Sequence, residues 1–189
     1  MGKQPLNENQ IKTLRKLTST KPLHSLLLNL SVDLMLRASD LLKLKVSDVL
    51  NEDGTPKSFV QVTQKKTGKT TIRIPLSENS KKVIKEHLVN KDFNRFIFAG
   101  QKSHYTGKAI STNQYQRIVK GWMSELGIED VSSYSTHSMR KTKASHLYSV
   151  TNNVEAVRRL LGHQSVTATS SYLGVEDEDA SELAKLHSI

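Results

Sequence analysis

Apolar residues recur along most of the chain at helical spacing, and one short stretch alternates instead. Ile11, Leu14 and Leu17 follow Asn7, a good N-cap, which predicts a first helix over 7–17. Pro22 opens a leucine-rich helix from Leu23 to about Arg37, apolar enough to be central to the core. Ser39 is placed to cap a short helix from Asp40 to Lys43, ahead of a strand-like Lys45–Val49. Asn51-Glu52-Asp53-Gly54 is a turn signal. Ser58–Gln64 and Thr70–Pro75 alternate in the strand manner, through Phe59, Val60 and Val62 and then Ile72 and Ile74. They flank a basic tip, Lys65–Lys69, so a β-hairpin is expected. Further helices are predicted at Ser80–Val89, Ser111–Glu125, His137–Val150, Asn153–Leu161 and Ser165 to about Val175. An acidic run, Glu176–Asp179, precedes an amphipathic end with Leu183, Ala184 and Leu186. The expected fold class is mostly α with a small antiparallel β-sheet (α+β), as one domain over residues 1–189.

Composition narrows the partners. With 189 residues the chain suits one domain, and no apolar run nears the ~18 residues that span a bilayer. The start, Met1-Gly2-Lys3-Gln4-Pro5, lacks the apolar stretch of a signal peptide, so a cytoplasmic protein is expected. The absence of cysteine removes disulfides, zinc-finger thiolates and thiol catalysis. Net charge is +10, from 28 basic against 18 acidic residues. Such a surplus suits a polyanion, because each neutralised phosphate releases condensed counterions.

Five places carry candidate chemistry, and each also has an ordinary structural account. His137 and Arg140, three apart, share one helix face that Ala144 and Leu147 continue toward the core. A buried arginine there needs an anionic partner, which is either a substrate or a nearby carboxylate. In Leu160-Leu161-Gly162-His163, Gly162 suits the position just past a helix end, leaving His163 at a corner before a helix capped by Ser165. Tyr172 lies nine residues beyond His163, on the opposite side of any continuous helix. The two can share a site only if the chain bends between them. Arg37 reads alone as a helix-end arginine, and Lys66 as part of a solvated basic turn.

Together these segments resemble the catalytic domain of the tyrosine recombinases, the phage-integrase family, over nearly the whole chain. The family's arginine box is similar to Leu36-Arg37-Ala38-Ser39-Asp40-Leu41-Leu42-Lys43-Leu44, with its acidic residue present as Asp40. Its hairpin lysine matches Lys66, ahead of Ile74-Pro75-Leu76. Its H-x-x-R box matches His137 to Arg140, its Leu-Gly-His box Leu161-Gly162-His163, and its late tyrosine Tyr172. Met139 and Lys141 depart from the commoner residues beside that box. Only about 35 residues precede Arg37, too few for the core-binding domain that many relatives carry. The expectation is a short recombinase or an excised catalytic domain.

The resemblance implies a site-specific recombinase or integrase, a DNA strand transferase needing neither metal nor ATP. Tyr172 would attack phosphorus to give a 3′-phosphotyrosyl link, with its acidity raised by neighbouring arginines. Arg37 and Arg140 would hold the non-bridging oxygens, His163 would add a donor, and His137 would donate or transfer a proton. Lys66 would protonate the leaving 5′-oxygen from a mobile hairpin. Lys43, Lys45, Lys65, Lys69, Arg73, Lys108, Lys120, Lys141 and Lys143 form a pool of candidate DNA-backbone contacts. The implied partners are double-stranded DNA and three further protomers in a synaptic tetramer, in the nucleoid of a prokaryotic or phage-infected cell. Residues 176–189 form a tail that either docks on a neighbouring protomer through Leu183, Leu186 and Ile189 or folds back on its own domain. The rival readings are a type IB topoisomerase-like enzyme and a DNA-binding regulator on the same fold.

Overall fold

The computed structural model describes residues 3–100 and 107–174. The tail over 176–189, with its expected docking residues, lies outside them.

The order of elements follows the apolar pattern closely. Helix α1 (Glu8–Thr18) is closed by an Asn7–Gln10 capping box. Its buried face is Ile11, Leu14 and Thr18; Leu17, expected inside, is 40% exposed. Thr18 can take the inner place because its hydroxyl donates to the Leu14 carbonyl at 2.8 Å. Helix α2 (Pro22–Leu34) is buried from Ser25 to Leu34 and is the central post, against which α1, α5 (Glu78–Leu88) and α7 (Thr136–Thr151) stand. Helix α6 (Thr112–Glu125) adds Trp122, whose indole N–H donates to His24 Nδ1 on α2 at 3.2 Å.

Asp33 ties three of these helices together. Its carboxylate accepts from the Ser77 N–H ahead of α5 at 2.7 Å and pairs with Lys143 of α7 at 3.1 Å. Burial pushes the Asp33 carboxyl up, but Lys143 and Ser77 outweigh it and hold it below the usual range.

Three local expectations are corrected. Lys45–Val49 is not a strand; Val46–Val49 forms a single helical turn, α4. Asp48 accepts the Lys45 N–H at 2.7 Å, and Val46 and Val49, three apart, bury on one face. Helix α2 also ends three residues before Arg37, because Met35 turns left-handed at φ 49. Met35 is buried with Ala144, Val157 and Leu161 in a small second core, and that packing offsets the backbone cost of about 1–2 kcal/mol. Helix α3 (Ala38–Leu41) then starts with Arg37 at its cap position, so Ser39 lies inside it.

The hairpin is present but short. Strands β1 (Phe59–Val60) and β2 (Ile74–Pro75) pair antiparallel, with Val60 opposite Ile74. Beyond them the ladder is interrupted, because the Val62 N–H is taken by the Thr71 hydroxyl at 3.0 Å, and pairing resumes at Thr63 opposite Thr70. Helices α8 (Val154–Leu161) and α9 (Val166–Leu173) follow α7 and pack on it. Among the described residues no helix is long and apolar enough to cross a membrane.

Candidate active site

Helix α7 begins at a Ser135–Ser138 capping box, which fixes its first turn and so aims His137 and Arg140. Arg140 is only 2% exposed. Its Nη2 donates to the Leu161 carbonyl at 2.7 Å, at the end of α8. Its Nη1 is buried and has no acceptor among the described residues. Burial, aided by Arg37, pulls the Arg140 guanidinium down to about 10, against Tyr172 and Asp40.

The bend required between His163 and Tyr172 is present. Gly162 turns left-handed at φ 66 and ends α8, and Ser165 caps α9 through the Ala168 N–H at 3.1 Å. Arg158 holds the corner by donating to the His163 carbonyl at 2.8 Å. The His163 and Tyr172 rings therefore meet edge to face, with centroids 5.3 Å apart.

The tautomer of His163 follows from its neighbour. The Thr169 hydroxyl has one proton for two neighbours, the Ser165 carbonyl at 3.1 Å and His163 Nδ1 at 3.2 Å. When the carbonyl takes it, Nδ1 carries the ring hydrogen and Nε2 keeps a lone pair. Burial and the cations of Arg140 and Arg37 push His163 down to about 4. The same three causes lower His137. Both shifts favour the neutral imidazole, which offers one N–H donor and one lone pair.

Tyr172 departs from expectation in the same sense. Arg140 and Arg37 do favour its phenolate, but burial outweighs them and pushes the hydroxyl up to about 12. Its hydroxyl donates to the His137 carbonyl at a long 3.4 Å, and Lys141 Nζ stands 5.9 Å from the ring centroid.

Arg37 completes the cluster through a residue that sequence reasoning passed over. Its Nη1 donates to Gln64 Oε1 at 2.6 Å, and Gln64 Nε2 donates to the Leu161 carbonyl at 3.3 Å. The signal for Gln64 was its parity with Val60 and Val62, which gives a polar side chain at an inward strand position. Asp40, 1% exposed, accepts the Lys65 N–H at 2.9 Å through Oδ1, while Oδ2 has no partner among the described residues.

The structure thus gathers Arg37, His137, Arg140, His163 and Tyr172, with Asp40 supporting the hairpin root. Lys66 stands apart, exposed on the turn. Of the basic pool, Lys43, Lys65, Lys69, Arg73, Lys108 and Lys120 are exposed, and Lys45 and Lys141 are half-buried. Arg73 lies over the Phe59 ring, 3.2 Å from its centroid. Lys143 is engaged by Asp33 inside the fold. No three of the described histidine, aspartate and glutamate side chains gather as a metal would require.

Comparison with known proteins gives the family. The phage integrase family model matches residues 4–179. The chain belongs to the phage integrase family. It is similar to the probable integrase/recombinase YoeC of Bacillus subtilis, 35% identical over 79% of this chain and 75% of that one. It is also similar to the tyrosine recombinase XerC of Neisseria gonorrhoeae, 28% identical over 78% of this chain but 46% of the relative. Among solved structures, the XerA recombinase superposes with a TM-score of 0.75 at 20% identity, over 100% of this chain and 64% of that one. The XerH site-specific recombinase, in a post-cleavage complex with its difH substrate, gives 0.72 at 19%, over 97% and 53%. The chain therefore spans about half the length of XerC and of the XerH chain. The mostly helical phage-integrase catalytic fold with its small antiparallel sheet is the one expected from the sequence.

Proposed function

We propose that this chain is the catalytic domain of a site-specific DNA recombinase or integrase that cuts and rejoins strands by covalent catalysis at Tyr172. The supporting observation is the buried Arg140 guanidinium, whose Nη1 has no acceptor among the described residues and which sits with Arg37, two neutral imidazoles and a tyrosine. A buried cation with spare donors is a seat for an anion, and a phosphodiester supplies one. Arg37 and Arg140 hold its non-bridging oxygens, and His137 serves as a further donor or proton-transfer partner.

Tyr172 Oη forms a bond to phosphorus as the P–O5′ bond breaks, leaving a 3′-phosphotyrosyl link and a 5′-hydroxyl. The phenolic proton passes to a neutral imidazole, His163, whose ring centroid is 5.3 Å from that of Tyr172, and Lys66 gives a proton to the departing 5′-oxygen. The 5′-hydroxyl of the same or another strand reverses the step without ATP, since the covalent link keeps the bond energy. The exposed or half-buried lysines and Arg73 position the duplex through its phosphates. Strand exchange takes four protomers on paired sites, with residues 176–189 linking neighbours.

The test is covalent trapping on nicked, partly randomised duplexes whose short 5′-hydroxyl fragment diffuses away after cleavage. Wild type is expected to give a denaturation-resistant protein–DNA band that Tyr172→Phe lacks while still binding DNA. DNA binding with no covalent band overturns the proposal in favour of a regulator. A band with plasmid relaxation but no strand exchange points to topoisomerase-like activity.

A further inference from the structure

Gln64 is a buried amide, 2% exposed, on the inward side of the hairpin. Its side-chain hydrogen bonds reach Arg37, the hairpin turn and the end of α8. Oε1 accepts from Arg37 Nη1 at 2.6 Å and from Thr67 Oγ1, in the hairpin turn, at 3.2 Å. Because arginine only donates, Oε1 must face Arg37, which turns Nε2 toward the Leu161 carbonyl at 3.3 Å. That carbonyl also receives Arg140 Nη2 at 2.7 Å. One amide and one carbonyl therefore join the two arginines in a chain. Gly162, the next residue, has no side chain where a Cβ would stand 2.7 Å from Gln64 Nε2.

The linkage is directional. Gln64 lies two residues before Lys66, and the adjoining Lys65 N–H is held by Asp40, three residues after Arg37. The hairpin root is thus bonded to the Arg37 segment at two points, one of them on the guanidinium itself. A long side chain such as arginine loses rotamer freedom when it docks a phosphate, so fixing it beforehand lowers the cost of reaching the reactive geometry.

We propose that Gln64 is a positioning residue that holds the Arg37 guanidinium in register with Arg140 and with the Lys66 hairpin. This rests on the recombinase reading for its effect on cleavage, but not for its effect on Arg37. The test uses the full chain, with Gln64→Met, which keeps length and removes all three side-chain hydrogen bonds, and Gln64→Glu, which keeps the acceptor for Arg37 and Thr67 and loses only the donor to Leu161.

The first measurement needs no DNA: the rotation of the Arg37 guanidinium, followed by the exchange of its Nη hydrogens in nitrogen-resolved NMR. Slow exchange in wild type and Gln64→Glu, and fast exchange in Gln64→Met, is the expected result. A guanidinium still held in Gln64→Met, or released in Gln64→Glu, overturns the proposal.

The second measurement is single-turnover cleavage beside DNA affinity. In Gln64→Met the cleavage rate should fall by about 100-fold. Affinity should stay within about threefold, because phosphate contacts elsewhere dominate it. Repeated in an Arg37→Lys background, the same change should cost almost nothing further, because Gln64 acts through Arg37. An additive loss, or an unchanged rate, overturns the proposal. If wild type forms no covalent adduct, the recombinase reading fails and the DNA-free measurement still decides the role of Gln64.

Discussion

Gly162→Ala tests the close approach at the centre of the site. Two costs add. Alanine at φ 66 is disfavoured by about 1–2 kcal/mol. Its Cβ would also lie 2.7 Å from Gln64 Nε2 and 3.3 Å from Cδ, so the amide must shift and give up the Leu161 carbonyl. Leaving that buried donor unpaired costs about 1–3 kcal/mol. The total, less a few tenths for the stiffer unfolded chain, is about 2–4 kcal/mol. For a chain of this size that is a fall of about 4–16 °C in Tm. The decisive comparison is the same substitution in a Gln64→Ala background, measured by urea unfolding. There the contact with the amide is gone and the backbone cost of about 1–2 kcal/mol is left. An equal loss in both backgrounds would refute the contact and assign the whole effect to φ.

Lys143→Met strands Asp33, and should cost about 3 kcal/mol at pH 7, the low end for breaking a buried pair because Lys143 keeps a quarter of its side chain exposed. Asp33 has a depressed folded pKa, so the pair stabilises above its unfolded value of about 3.9 and the gain is lost as pH falls through the folded one. The gap between wild type and variant in urea unfolding should therefore narrow from pH 7 to pH 3; a constant gap counts against the ion pair. His163, lowered to about 4, should show neutral imidazole shifts by NMR from pH 8 down to pH 5, with Nδ1 protonated. Its unfolded form binds a proton near 6.5, so its contribution to stability declines as pH drops from there toward 4. Thr169→Val should release the tautomer and slow cleavage without weakening DNA binding; an unchanged Nδ1–H signal would show that Thr169 does not set it.

Much of this site was legible because its residues sit where local rules act. The three-residue spacing on α7 placed His137 and Arg140 together, and the Gly162–Ser165 corner allowed the bend that brings His163 to Tyr172. The α2 terminus was misread because nothing local marks Met35 as left-handed; its conformation is set by a pocket of Ala144, Val157 and Leu161, more than a hundred residues away. The Val46–Val49 turn was hidden for a similar reason, since two valines suit a strand until Asp48 caps the preceding N–H. Gln64 was visible only as a polar residue at an inward strand position, and its partners Arg37 and Leu161 come from distant segments. The net rise of the Tyr172 pKa was beyond sequence reasoning, because counting nearby arginines says nothing of how deeply the phenol is buried.

That rise shapes the proposed chemistry. Three groups of the site are displaced toward their neutral forms: Tyr172 up to about 12, Arg140 down to about 10 and His163 down to about 4. Desolvation is the first cause for each. In the DNA-free site, a proton moving from a phenol near 12 to an imidazole near 4 goes uphill by many powers of ten, so phenolate does not accumulate. A phosphodiester anion seated on Arg140 raises the basicity of His163, but it also makes the phenol a weaker acid. Substrate binding alone therefore does not release the nucleophile. In the reaction proposed above, the proton leaves as the bond to phosphorus forms, when the tyrosyl oxygen gives up the electron pair that held it. On that account the idle enzyme keeps an inert phenol, and Arg37, Arg140 and the His163 lone pair act together only in the transition state.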